Sequence, residues 1–175
     1  MPDFLCLAKG LTGGYMPLAA TLTTEEVWQA FLGDYASSRT FFHGHTYGGN
    51  PLGAAVALAT LEVFEEERTL EQMQPKVARL RELLRRFAEY DCVGDIRQCG
   101  LLAGIELVRD RRTKEPLPWE EKWGLRVCQQ ALERGVWLRP LGNVLVIMPP
   151  LAITLAELER IVVVLEESVR CVLYP

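Results

Sequence analysis

Two short runs near the start of the chain, Phe4-Leu5-Cys6-Leu7-Ala8 and Leu18-Ala19-Ala20-Thr21-Leu22, are apolar at nearly every position rather than at every second one. A strand with one wet face alternates, whereas a nearly continuous apolar run suits a strand covered on both faces. Two such strands cannot make a covered sheet by themselves, so the opening of the chain calls for neighbouring strands supplied from elsewhere. Further along, the apolar residues recur with helical and alternating spacing. With 49% hydrophobic and 24% charged residues in 175, the remainder can bury a core of its own.

Composition also removes several function classes. A net charge of −4 argues against a surface that neutralises phosphate backbones, so nucleic acid is not expected as a partner. Five cysteines, odd in number and never in a C-x-x-C pair, make neither a disulfide framework nor a zinc knuckle. No apolar run approaches the ~20 residues of a membrane span and none follows a basic leader. These features point to a cytoplasmic chain with reduced thiols and no membrane partner.

The pattern then orders the elements. The first apolar run reads as a buried strand ending at Lys9, with glycines at 10, 13 and 14 behind it. The second leads to Thr23-x-x-Glu26, a capping box for a short helix with Val27, Ala30 and Phe31 on one side and Gly33 at its end. Asn50-Pro51 opens an Ala-rich helix expected to reach Glu66. From there the character changes. Thr69 with Gln72 caps a turn, Pro75 predicts a kink or a fresh start, and Val77, Leu80, Leu84 and Phe87 form a helical face. Val93 to Arg97 and Leu101 to Val108 predict a hairpin, and 109–119 an exposed loop. Trp123, Val127, Ala131 and Leu132 mark a helix closed by Gly135, followed by short strands over 136–139 and 144–148. A last helix follows the box Thr154-x-x-Glu157, with Leu155, Leu158, Ile161, Val162, Leu165 and Val169 toward the core. The expected organisation is an incomplete opening unit over 1–67 and a complete α+β unit over 68–175.

Four lysines stand against fifteen arginines, and Lys9 alone follows an apolar strand. At a strand end beside glycines a lysine can lose hydration and present the neutral amine that attacks carbonyls, or it can simply snorkel to solvent. Gly10-x-x-Gly13-Gly14 lacks the Gly-Lys-Ser/Thr of a P-loop. The glycine-rich loop His43-Gly44-His45-Thr46-Tyr47-Gly48-Gly49 feeds a helix N-terminus, which suits either an anion or an ordinary capped loop. His43 and His45 lack further candidate ligands, so no metal site is expected. Arg139 ends a strand before a Pro-Leu-Gly turn, a place from which a guanidinium can fork onto a carboxylate.

Together, Leu7-Ala8-Lys9-Gly10-Leu11-Thr12-Gly13-Gly14, the His43 to Pro51 loop, Val93-Gly94-Asp95-Ile96-Arg97, Gly104-Ile105-Glu106-Leu107-Val108 and Arg139-Pro140-Leu141-Gly142 resemble the class III aminotransferases, pyridoxal-phosphate enzymes of fold type I. The resemblance runs from residue 2 to about 170. Thr12-Gly13-Gly14-Tyr15-Met16-Pro17, the Thr113-Lys114-Glu115-Pro116 loop and Met148-Pro149-Pro150 bring it nearest the diaminopelargonate aminotransferase branch, which converts 8-amino-7-oxononanoate to 7,8-diaminononanoate in biotin synthesis.

The resemblance implies an α/β fold in which 1–67 is the end of the cofactor-binding large domain and 68–175 a small α+β domain. It implies that Lys9 binds pyridoxal 5'-phosphate covalently and moves the proton. It further implies that Gly44 touches the oxononanoate substrate, that His45 and Thr46 hold the cofactor phosphate of the neighbouring subunit of a homodimer, and that Arg139 takes the substrate carboxylate. His45 departs from members with proline there. S-adenosylmethionine is the usual amino donor, and lysine serves in one branch.

Family members carry much of the large domain before this point, including the aspartate toward the pyridine nitrogen, and Asp3 lies too near Lys9 to be it. The chain is therefore expected to be the C-terminal portion of such an enzyme, a truncated product or one half of a split one, inactive alone. Two alternatives stand beside this: another class III ω-aminotransferase, acting on ornithine, 4-aminobutyrate or a similar amine, and a non-catalytic remnant that associates through its apolar opening.

Overall fold

The computed structural model describes residues 2–174. The chain divides between Arg68 and Thr69 into two compact units. In the first, β1 (Phe4–Ala8) and β2 (Ala19–Thr23) pair antiparallel, with Phe4 opposite Thr23 and Ala8 opposite Ala19. Burial on both faces, expected from the apolar runs, is not found within this unit: Phe4 is 59% exposed and Leu22 52%. The helix α2 (Pro51–Glu66) packs instead on the 3-10 turn Lys9–Thr12 that follows β1. Its start follows the sequence signals, with Pro51 in the first turn and Leu52 N–H donating to Asn50 Oδ1 at 3.1 Å. Its buried residues are Gly53 and Ala57, small side chains that let the turn approach closely.

The short helix α1 (Glu25–Gln29) begins one residue later than the capping box predicts. Thr23 is committed to the ladder opposite Phe4, so Thr24 caps instead, accepting from Val27 N–H at 3.5 Å. The helix is over by Gln29, so Ala30 and Phe31 extend no helical face.

In the second unit, β3 (Val93–Cys99), β4 (Leu102–Asp110), β6 (Arg139–Leu141) and β7 (Val144–Ile147) form an antiparallel sheet in the order β3-β4-β7-β6. The two-residue strand β5 (Glu115–Pro116) pairs with β4, giving the expected loop one tie to the sheet. One sheet face presents Ala103, Ile105, Leu107, Leu145 and Ile147 to the core. Against it pack α3 (Thr69–Leu84), α4 (Trp123–Glu133) and α5 (Leu155–Leu173), through Leu80 and Leu84, Val127, and Leu158, Val162, Leu165 and Val169. Leu132 and Leu155, expected on core faces, are exposed.

Two expectations change for local reasons. Pro75 makes no fresh start but lies inside α3. A proline there gives up one backbone bond, roughly 3 kcal/mol in an isolated helix. Burial of Leu80, Leu83 and Leu84 downstream offsets that loss. The strand expected over 136–139 starts only at Arg139, because the residues before it cap α4. Gly135, at φ 82, donates to Leu132 O at 2.9 Å, and Val136 N–H donates to Ala131 O at 2.9 Å. That pair is a Schellman motif, and it takes the Val136 amide away from the sheet.

At the start of α5 both halves of the capping box are present. Glu157 N–H donates to Thr154 Oγ1 at 3.2 Å and Thr154 N–H donates to Glu157 Oε2 at 2.8 Å. The Thr154 backbone and hydroxyl hold the Glu157 carboxyl below the usual carboxylate range. Thr154→Ala is expected to lower stability by about 1 kcal/mol, read as a lower urea midpoint at unchanged m. Cys128 lies in the core, where burial pushes its thiol up to about 11 and keeps it protonated at neutral pH. Among the described residues no helix is long and apolar enough to cross a membrane.

Candidate active site

Lys9 is the first residue of the turn after β1, and its backbone is left-handed, φ 53. A side-chain-bearing residue avoids this region unless its surroundings impose it, so the turn is held rather than relaxed. Ala8 to Ala19 then loops back to β2, and the loop encloses one side of an open cavity of about 1120 Å³. The other side is the His43–Gly49 segment, contributing His43, His45, Tyr47, Gly48 and Gly49. Lys9 and His45, two of the residues singled out from sequence, therefore line the same cavity. Gly44 and Thr46 flank His45, exposed and outside the lining.

The segment is ordered by its own short contacts. Gly48 N–H donates to His45 O at 2.8 Å, and Tyr47 N–H donates to His45 Nδ1 at 3.2 Å. Gly49, at φ 69, completes the descent into Asn50 and α2. Tyr15 and Tyr47, which sequence reasoning did not single out, also line the cavity, and nothing in their spacing marks them. Among the described residues no group of three or more His, Cys, Asp or Glu is placed to hold a metal.

The lining suits a flat ligand bearing a carbonyl. Lys9 supplies an amine, and a Cβ added at Gly10, Gly14 or Gly49 would meet nothing within 4 Å, so the backbone there is open to close approach. Pyridoxal phosphate fits at its aldehyde end through Lys9. No acidic side chain lines the cavity, so a counter-ion for a pyridine nitrogen is not among its residues.

Arg139 belongs to the second unit, on the sheet face turned away from the core. The register pairs Arg97 with Gly104, Gly104 with Val146 and Val146 with Arg139, so all four share one row and one face. Arg97 is tied to Asp95 and Glu106, each at 2.9 Å. Arg139 has no ion-pair or hydrogen-bond partner for its side chain among the described residues and is exposed, its guanidinium open to an anion. Its turn is tightly held: Asn143 Nδ2 donates to Leu117 O at 2.9 Å, Trp119 lies over Gly142, and Gly124 packs beneath the Gly142 carbonyl.

Comparison with known proteins extends these observations over the whole chain. The family model described as Aminotransferase class-III matches residues 1–169. The chain is 57% identical over 171 residues to adenosylmethionine-8-amino-7-oxononanoate aminotransferase of Geobacter sulfurreducens, covering 98% of this chain and 38% of that protein. The crystal structure of the enzyme of that name from Methanocaldococcus jannaschii superposes with a TM-score of 0.93 at 49% identity, over 98% of this chain and 39% of that one. An amine transaminase from an uncultivated Pseudomonas species, solved in its PLP-bound form, matches with a TM-score of 0.91 at 38% identity, again over 98% and 39%. The chain thus spans under two fifths of the length of these relatives. Its fold is the corresponding α/β part of a PLP-dependent transaminase. A match running through both units rather than through one motif leaves a single assignment: the chain belongs to the class III aminotransferases.

Proposed function

We propose that this chain supplies the lysine and the carboxylate-binding arginine of a pyridoxal-phosphate-dependent transaminase that converts 8-amino-7-oxononanoate to 7,8-diaminononanoate in biotin synthesis. The observation that carries the proposal is Lys9, left-handed and lining a glycine-rich cavity, in a chain 57% identical to a relative named for that reaction. The amine transaminase likeness, at 38% identity, supports the chemistry but is weaker support for a different substrate. S-adenosylmethionine is the proposed amino donor, on the relatives' name. The proposed turnover is that of the whole relatives; in this chain alone, with no carboxylate lining the cavity, it is expected to be undetectable.

When bound, the cofactor supplies an electron sink for the carbon–hydrogen bond broken in transamination. Lys9 would hold the cofactor by its amine at the aldehyde end, with loss of water, and once released by an incoming amine it would serve as the base and acid that carries the proton moved in the reaction. Arg139 pairs with the substrate carboxylate, remote from the reacting carbon, and so fixes where the chain of the substrate lies. Gly44 offers its backbone to the same substrate. His45 and Thr46, exposed on their turn, are proposed to hold the cofactor phosphate of the neighbouring subunit in a homodimer.

The test is chemical trapping. The purified chain is incubated with pyridoxal phosphate, reduced with borohydride, digested and mapped. Label concentrated at Lys9 and lost in Lys9→Ala is expected. Label spread evenly over Lys76, Lys114 and Lys122 would sink the assignment of Lys9.

A further inference from the structure

The turn that carries Lys9 is fastened at one buried point. Thr12 is fully buried, and the other buried residues of its unit, among those described, are Gly53 and Ala57 of α2. Its Oγ1 donates to Met16 O at 2.6 Å and stands 3.4 Å from Lys9 O. A hydroxyl has one proton, so the short contact to Met16 is the strong bond and the Lys9 carbonyl is a secondary neighbour. Around it the backbone closes on itself: Gly13 N–H donates to Gly10 O and Tyr15 N–H donates to Thr12 O, each at 3.1 Å. These contacts tie Thr12, three residues after Lys9, to Met16 within the cavity-lining loop.

The left-handed Lys9 backbone needs such a restraint. The turn is otherwise short, exposed and rich in glycine, and would relax if its buried anchor were cut. We propose that Thr12 is the positioning residue for Lys9: its buried hydroxyl bond to the Met16 carbonyl closes the loop that follows the lysine and keeps the lysine at the cavity. This deepens the reading of Lys9 as the carbonyl-binding amine and rests on it. A buried threonine can also serve only to fill space, and two substitutions separate these roles. Thr12→Val keeps the shape and removes the donor, whereas Thr12→Ser keeps the donor and removes a methyl.

Borohydride trapping with pyridoxal phosphate, quantified at each lysine, gives the readout, with Lys76, Lys114 and Lys122 of the second unit as internal controls. Thr12→Val is expected to lower the label at Lys9 relative to those lysines by roughly tenfold, and Thr12→Ser to stay within about twofold of wild type. Amide exchange of Gly13 and Tyr15 is expected to quicken in Thr12→Val by about the same factor, while the second unit keeps its protection. Wild-type labelling of Lys9 in Thr12→Val would overturn the proposal, as would equal losses in both variants, which would make Thr12 a packing residue. A wild-type chain without preference for Lys9 would overturn the underlying reading instead, and the proposal with it.

Discussion

Phe87→Ala is expected to destabilise the second unit by about 3–5 kcal/mol, a large share of the roughly 5–15 kcal/mol that holds a domain folded. Phe87 is fully buried on the 3-10 turn Arg85–Glu89 that continues α3. Its ring stands 6.3 Å from that of Tyr90, whose hydroxyl donates to Glu166 of α5 at 2.9 Å. The ring therefore fills the junction where the end of α3 meets α5, and a cavity there cannot collapse without moving both. Urea unfolding followed by circular dichroism checks it. A loss under 1 kcal/mol would mean that the junction repacks. Leu132→Ala serves as the control, since Leu132 is 56% exposed on a helix of the same core and its loss is expected to stay near 0.5 kcal/mol.

Gly124→Ala has the second largest expected effect, and it reaches the candidate site. A methyl at Gly124 would collide with the Gly142 carbonyl oxygen and stand 3.0 Å from Pro140 Cβ. Neither neighbour can move freely. Gly142 is left-handed at φ 60 beneath Trp119, and Pro140 is a rigid ring inside β6. Alanine would favour α4 by about 1 kcal/mol on helix propensity, but overpacking against backbone costs about 1–3 kcal/mol or more. The expected net result is a loss of about 2 kcal/mol together with displacement of the Arg139 turn, visible as altered emission from the nearby tryptophans. Unchanged stability and emission would show that the turn yields without cost.

The sequence signals succeeded where a local device settles the local structure. Asn50-Pro51 started α2, Thr154 with Glu157 started α5, and the run from Leu101 to Val108 marked a strand of the hairpin. They failed where one backbone group had two possible uses. Thr23 could cap a helix or extend a ladder, and pairing with Phe4 decided it. The Val136 amide could join a sheet or close α4, and the Schellman bond took it. Of the two outcomes open at Pro75, the fresh start does not occur, because Leu80, Leu83 and Leu84 downstream favour one continuous helix. At the site, Lys9 and His45 were legible as unusual residues beside glycines. Tyr15, Tyr47 and the anchoring of Thr12 were not, since common residues acquire their roles only from what the loop brings near them.

The row that places Arg97 and Arg139 on opposite flanks of one sheet face has an electrostatic consequence. Asp95 and Glu106 together outweigh the single charge of Arg97 and leave the β3 side net negative, while the positive charge at the β6 edge is uncompensated. The surface between them, Gly104 and Val146, carries no charge of its own. The face is thus polarised from side to side, and an elongated molecule with one anionic end experiences a torque before it makes any contact. Its acid group is expected to turn toward β6, an orienting effect that weakens as salt shortens the reach of the field.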